Sequence, residues 1–317
     1  MVDYYSLPEG ELPMSMRYLR KILKERGWKA EKLCREGQNN LVLTRPDRKV
    51  IKIASSTPPT TSVYALRLAD DKLMSYELLK GLGVTQPMTV AVKTEEDALP
   101  ILEKYGEIVI KPVDGAHGRG VTTMIRSITK VEEAIRKAKK ASAGAGLAIA
   151  QPQLPPEALE RRVICIGYKF VVAIARIPAQ VTGDGVRTLK ELIALENETI
   201  RTVPYQGRLA WINTEMAKQY LGARVDEVPA SGEKVRVIGT CNVGQGGTAL
   251  DCSDSFSTEE RELAERIARA AELPVVGIDF YGDQVIELNA CPSLYYPTGD
   301  EAEAKAVEAY VEYLASI

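Results

Sequence analysis

The sequence predicts an α+β fold, and its organisation, its turns and its composition all point that way. Helix-period and strand-period stretches come in clusters instead of strict strand–helix–strand alternation, which argues against a doubly wound parallel sheet. Turn-forming residues separate neighbouring strand-like runs that read as antiparallel hairpins. The 317 residues with a 45% hydrophobic fraction supply apolar material for about two domain-sized cores. The expected organisation is a short α/β N-terminal subdomain over residues 1–62, a central domain over 63–150 and a C-terminal lobe over 151–317.

Each element follows from local pattern. Residues 15–26 place Met16, Leu19, Ile22 and Leu23 on one helical stripe, which Gly27 ends. Strands at 41–44 and 49–54 flank the turn Arg45-Pro46-Asp47-Arg48, and a double proline makes 55–62 a loop. Asp70 or Asp71 can cap a helix to Lys80, closed by Gly81 and Gly83. A strand at 107–111 enters a glycine-rich loop, a strand at 121–125 leaves it, and a helix at 129–143 turns Val131, Ala134, Ile135 and Ala138 inward. Beyond a strand start at 148–150 and a proline-broken connector at 151–156, residues 162–166 and 170–177 form a hairpin around Gly167. A strand at 235–242, a helix at 258–272, a second hairpin from 275–281 and 285–289, and a helix at 301–316 complete the chain.

Composition removes several functions. Lys and Arg number 41 against 43 Asp and Glu, so no basic excess exists to engage a phosphate backbone, and no nucleic-acid partner is expected. Five cysteines with no C-x-x-C pair, beside a single histidine, fit neither a zinc site nor a disulfide framework. Reduced, buried cysteines and a cytoplasmic location are expected. The most apolar stretch, 163–179, is interrupted by Lys169 and Arg176 and is too polar to span a bilayer, and the first 17 residues hold no signal-type apolar run. The one imidazole, His117, lies among glycines, so Ser–His–Asp or Cys–His catalysis is not expected.

Two segments carry chemistry. In Ile110-Lys111-Pro112-Val113-Asp114-Gly115-Ala116-His117-Gly118-Arg119-Gly120-Val121, three glycines between strands let backbone N–H groups turn toward an anion. Lys111 supplies a point charge just before the loop. No helix follows directly, so neither the P-loop nor the dinucleotide fingerprint applies, and taken alone the segment reads equally as a flexible hairpin loop.

The second segment is the hairpin ending in Ile286-Glu287-Leu288-Asn289. Ile286 and Leu288 share one face, Glu287 and Asn289 the other, and Asp279 opposes Ile278 and Phe280 on the preceding strand. If both apolar sets meet one core, Asp279 must face Glu287, which requires a three-residue turn at 282–284 or an equivalent bulge. Two carboxylates and a carboxamide then converge as hard oxygen donors of the kind Mg²⁺ prefers. A solvated amphipathic hairpin explains the alternation equally well until the upstream loop is counted. A phosphate cradle and an Mg²⁺ platform are complementary halves of a nucleotide site.

In this order the motifs resemble the ATP-grasp carboxylate–amine ligases, closest to the ATP-grasp portions of cyanophycin synthetase and bifunctional glutathione synthetase, with the ribosomal-protein glutamate ligases next. The likeness runs from about Thr61 to the C-terminus. It takes in Ala69-Asp70-Asp71-Lys72, Val109-Ile110-Lys111-Pro112 with the glycine loop, Val181-Thr182-Gly183-Asp184-Gly185, Gly246-Gly247-Thr248-Ala249, and Gly277-Ile278-Asp279 with Glu287-Leu288-Asn289. The resemblance implies the ATP-grasp fold, with ATP between two α+β lobes. It also implies amide or peptide bond formation through an acyl phosphate, with release of ADP and phosphate. By likeness Lys111 contacts the α/β-phosphates, and Gly115, His117, Gly118, Arg119 and Gly120 close over them. Gln151, Gln153 and Leu154 form the hinge against adenine, with Arg162 also in the nucleotide site. Asp279, Glu287 and Asn289 hold Mg²⁺, in two ions with Mn²⁺ able to substitute, while Arg176 neutralises the transferring phosphate. Lys111, Arg176 and Asn289 are the expected catalytic set.

The expected substrates are small-molecule or peptide carboxylates and amines, and relatives imply a homo-oligomer, dimer or tetramer. Length leaves room for one ligation rather than two. Gln151 stands where cyanophycin-type enzymes carry Glu, Ile238 where they carry Arg, and Ser293 where Gly is common, with Arg236 or another arginine expected to substitute for the missing one. Arg67, Arg187, Arg201, Tyr205, Arg208, Trp211, Tyr295 and Tyr296 are candidate acceptor-pocket residues. Two other readings stand beside this one: a ligase modifying or crosslinking a larger ribosomal peptide or protein, and a catalytically silent nucleotide-binding regulatory module.

Overall fold

The computed structural model describes residues 1–33, 39–115, 118–155, 158–202, 211–239, 241, 243–298 and 302–317. The N-terminal segment folds as β1 (Val2–Asp3), α1 (Met14–Glu25), β2 (Lys29–Lys32), β3 (Asn40–Thr44) and β4 (Val50–Ala54), with the strands side by side in chain order. Helices α2 (Val63–Asp70) and α3 (Lys72–Gly81) follow. The central sheet comes from β5 (Val90–Val92), α4 (Glu95–Tyr105), β6 (Ile108–Pro112), β7 (Thr122–Ile125), α5 (Val131–Ala141) and β8 (Ala148–Pro152), in the strand order β5-β8-β6-β7.

The remainder contains β9 (Glu160–Ile166), β10 (Lys169–Ile177), β11 (Gln180–Thr182), α6 (Leu189–Thr202), α7 (Thr214–Leu221), β12 (Lys234–Arg236), β13 (Thr248–Asp251), α8 (Thr258–Ala270), β14 (Val275–Tyr281), β15 (Gln284–Asn289) and α9 (Ala302–Ser316). Five of these strands form a sheet in the order β13-β10-β9-β14-β15, and β11 pairs with β12. All pairings among the described residues are antiparallel, as the clustered pattern requires.

Asp71 caps α3 by accepting from the N–H groups of Leu73 and Met74. The sequence reading placed no helix before it. There Ser62 accepts from the Ala65 N–H and starts α2, whose Ala65, Leu68 and Ala69 are buried. The strand expected over 235–242 is shorter: β12 stops at Arg236. The Val237 N–H turns to the Ala179 carbonyl, and the Arg236 guanidinium folds back onto the carbonyls of Ile238 and Gly239 at 2.9 and 2.7 Å. Thr240 and Asn242 lie outside the described residues.

The central sheet packs on α4 and α5 around Ile101, Ile108, Ile110 and Ile135. A smaller core over 179–238 gathers Leu189, Ile193, Leu221 and Val237. The five-stranded sheet is covered on both faces. One face takes α2, α3 and α8 through Leu68, Leu79, Ile267 and Phe280. The other takes the N-terminal sheet, α1 and α9 through Leu19, Leu41, Ile164, Ile174 and Tyr310.

Candidate active site

Alternation along β9, β14 and β15 sorts residues between these faces. Val163, Cys165, Val276, Ile278 and Leu288 belong to the first core, and Ile164, Ile166 and Val275 to the second. Arg162 and Asp279 are on the second face, where apolar packing gives way to charge. Asp279 pairs directly with Glu287, Ile278 with Leu288 and Gly277 with Asn289, and the register shifts between Asp279 and Phe280. The bulge answers the register that alternation demands: Tyr281 pairs with Gln284, leaving a turn shorter than three residues.

Asp279 is 2% exposed and accepts from Arg162 Nε at 2.6 Å, Arg162 Nη2 at 2.7 Å and Arg176 Nη2 at 2.8 Å. Arg176 also donates to Glu160, and Arg162 reaches the Tyr296 hydroxyl at 3.5 Å. Burial opposes ionisation of Asp279, but the two guanidinium groups overcome it and hold the carboxyl below its usual range. At Glu160 burial prevails over Arg176 and pushes the carboxyl up. Cys241, beside Glu160, is driven up to about 12 by burial and that acid's charge. A side chain at Gly277 would press on Pro292 and the Arg162 stem at 3.1 and 3.4 Å, so glycine there makes room for the guanidinium. Arg161 points to the opposite face, stacking on Phe256 with its guanidinium carbon 4.3 Å from the ring centroid.

The central sheet brings Lys111 against this cluster. Lys111 sits on β6 with Lys72, Glu287 and Glu160 in electrostatic reach, and burial followed by Lys72 lowers its ammonium to about 8. Lys72 is the tie between the sheets: its ammonium lies 3.0 Å from Glu287 Oε1 and donates to the Gly115 carbonyl at 3.1 Å. Asp114 anchors the glycine loop to the end of α5 by accepting from Ser142 Oγ and from the N–H groups of Ala143, Gly144 and Ala145. Burial disfavours the Asp114 charge, yet these bonds outweigh it and lower the carboxyl. Gly120 has φ of +74°, and a Cβ there would fall 2.4 Å from the Ala141 Cβ. His117 lies outside the described residues, and Gly118 and Arg119 are exposed.

At the start of the connector, Gln151 is buried and donates to Thr89 Oγ1 at 2.7 Å, while Gln153 accepts from the Met124 N–H and donates to the Leu154 carbonyl. Gln151, Lys72, Glu287 and Leu288 line one small void between the central sheet and β15. The described acceptor-pocket candidates lie on separate elements. Arg67 is exposed on α2, Arg187 pairs with Asp184 at 2.5 Å, and Tyr295 stacks on Tyr18 with centroids 4.9 Å apart. Tyr296 alone among the described ones touches the cluster. Arg201, Tyr205 and Arg208 fall on residues whose side chains are not described, and Trp211 is exposed. Cys291 corrects the expectation of buried cysteines: just past the strand end it is exposed, and Cys252 is partly so. Lys72 and Glu160 were missed by sequence reading. Lys72 lay inside a quoted motif, and Glu160 stands two residues before Arg162 on the same strand face, a spacing that could have flagged it.

With this geometry in view, the family described as the prokaryotic glutathione synthetase ATP-grasp domain matches residues 72–189, from Lys72 through the glycine loop and β9–β10. The chain carries an ATP-grasp domain. Cyanophycin synthetase of Crocosphaera subtropica is 30% identical over 261 residues, covering 76% of this chain and 29% of the relative. The glutathione biosynthesis bifunctional protein of Pasteurella multocida is 24% identical over 220 residues, covering 67% of this chain and 29% of that protein. This ATP-grasp chain therefore spans under a third of the length of either relative. The crystal structure of a bifunctional glutathione synthetase from Pasteurella multocida superposes with a TM-score of 0.63 at 20% identity, over 96% of this chain and 43% of that one, a likeness of fold. Among the described residues no helix is long and apolar enough to cross a membrane.

Proposed function

We propose that this ATP-grasp chain is an ATP-dependent carboxylate–amine ligase acting on an amino acid or peptide, forming an amide or peptide bond with release of ADP and phosphate. The observation that carries the reading is the meeting of Lys111 and Lys72 with the Asp279–Glu287 pair where the two sheets face each other. Lys111 takes the α/β-phosphates, the loop of Gly115, Gly118, Arg119 and Gly120 folds over them, and Gln151, Gln153 and Leu154 border the base. Loop closure excludes water and protects the acyl phosphate.

Asp279, Glu287 and Asn289 would hold Mg²⁺. Their fit rests on the donor set: two carboxylates opposed on paired strands, an amide oxygen two residues on, and cations already drawn to both acids. Asn289 Oδ1 accepts from the Cys291 N–H at 2.9 Å, which orients the amide. Among the described residues no three His, Cys, Asp or Glu side chains converge as a metal site. Bound there, the ion would neutralise phosphate charge.

Arg176 faces the developing charge. Its Nε is buried and has no hydrogen-bond partner among the described residues, leaving one donor for an anion. A substrate carboxylate oxygen attacks the γ-phosphorus and ADP leaves. The amine nitrogen then attacks the acyl carbon, loses a proton and expels phosphate. A screen of amino acids and peptides for ADP release tests the reading. Glu287→Ala should abolish release in a folded protein, and hydroxylamine should trap an acyl hydroxamate. Failure of every carboxylate–amine pair to stimulate release would overturn it.

A further inference from the structure

A cavity of about 160 Å³ opens between α1, Asn39, the bend after β4, the segment after β15 and α9. Its apolar wall is Met16, Leu19, Pro292, Leu294 and Val307. Its polar residues are uncharged: Ser15, Asn39, Ser55, Ser56 and Ser293, with Tyr310 at its buried end and the Cys291 thiol at the exposed side. No charged side chain lines it among the described residues.

Three features distinguish this cavity from a packing fault. Tyr310 is fully buried at the cavity's inner end, and its hydroxyl has no hydrogen-bond partner among the described residues. Ser55 holds φ of +55°, a conformation a non-glycine residue adopts only where its surroundings impose it. The wall is fastened to the catalytic strand: Ser56 Oγ donates to the Pro292 carbonyl at 2.7 Å, and the Cys291 N–H is bound by Asn289. The cavity thus begins two residues beyond a proposed Mg²⁺ ligand. A void of about 150 Å³ is enough to take up a benzene ring.

We infer that this cavity receives an uncharged amino-acid side chain, branched aliphatic or aromatic in size, of one of the substrates. A carboxylate or ammonium there would lose its hydration with no counter-ion, so acidic and basic side chains are rejected. The inference rests on the ligase reading and gives residues 15–56 a part in substrate choice.

The test uses the full chain and two independent arms. In the first, without ATP, N-ethylmaleimide labelling of Cys291 is followed by peptide mass spectrometry in the presence of leucinamide, phenylalaninamide, lysinamide or glutamate α-amide. The two probes with uncharged side chains should slow labelling, and the two with charged side chains should not. Ser15→Phe, which fills the cavity from a half-exposed helix position, should abolish protection, while Ser15→Ala should keep it, both melting as the parent does. Equal protection by charged probes, or protection surviving in a folded Ser15→Phe, overturns the proposal.

In the second arm, once a productive pair is known, Ser15→Phe should raise the KM of the neutral amino-acid substrate about tenfold with that of ATP unchanged. An unchanged amino-acid KM overturns the proposal. The first arm needs no turnover, so an inactive protein can pass it and an active ligase can fail it.

Discussion

The two halves of the site are built on opposite principles. On the five-stranded sheet, Arg162, Arg176, Asp279 and Glu160 form a buried charge cluster locked by strand pairing on both sides of β9. On the central sheet, the glycine loop is exposed at Gly115, Gly118 and Arg119 and is held at its base by the well-bonded Asp114 carboxylate and by Lys72 on the Gly115 carbonyl. One half is buried and paired on both sides, the other is exposed and held at its base, with Lys72 bridging them. Phosphoryl transfer needs both, since charge must be in place before reaction while the substrate has to enter and leave.

Asp279→Ala breaks the buried half most severely. It leaves two buried guanidinium groups without their shared carboxylate, and breaking a buried ion pair costs about 3–5 kcal/mol. Denaturant melts should show a loss of that order, together with loss of ADP formation. A loss below about 1 kcal/mol would mean the cluster behaves like solvated surface charge, and the contrast between the halves would fail.

Gly120→Ala strains the exposed half. The αL backbone costs a non-glycine residue about 1–2 kcal/mol, and crowding against Ala141 adds about 1–3. Hydrogen exchange should quicken at the loop and α5 while β9 and β14 stay protected. The double variant Gly120→Ala/Ala141→Gly should recover only the Ala141 share of the crowding, leaving the contacts with Pro112 and the Lys137 carbonyl and the backbone part. Equal quickening in both sheets would show one cooperative unit instead of two.

How much of this the sequence discloses follows the range of the interactions. The Asp279–Glu287 register is readable because alternation within 17 consecutive residues, 276–292, admits one pairing. The Asp71 cap and the inward stripe of α5 are equally local. Lys72 is not readable as a site residue, since its partners Gly115 and Glu287 are distant in sequence and meet it only when the sheets face each other. The double grip of Arg162 and Arg176 on Asp279 spans three strands. The cavity near Tyr310 is assembled from five separate segments, none of which carries a motif, and the same packing leaves Cys291 exposed.

The smallest predicted effect probes the bridge itself. Lys111 has its ammonium lowered to about 8, first by burial and second by Lys72, against the pull of Glu287 and Glu160. Below that value the lysine is charged in both folded and unfolded chains, and its burial penalty is fully present. As pH rises from about 8 to the ordinary lysine value of about 10.4, the folded chain binds fewer protons than the unfolded one, so this group makes stability increase. Phosphate oxygens beside Lys111 should raise its pKa again. Nucleotide binding near pH 8.5, at roughly half-titration, should therefore take up a fraction of a proton, read by calorimetry in buffers of different ionisation enthalpy. Lys72→Met removes one of the two lowering influences, so the uptake should shrink and its midpoint should move to higher pH. If uptake is the same in both proteins, Lys72 does not couple the halves electrostatically, and its contact with Glu287 is then only a fastening between sheets.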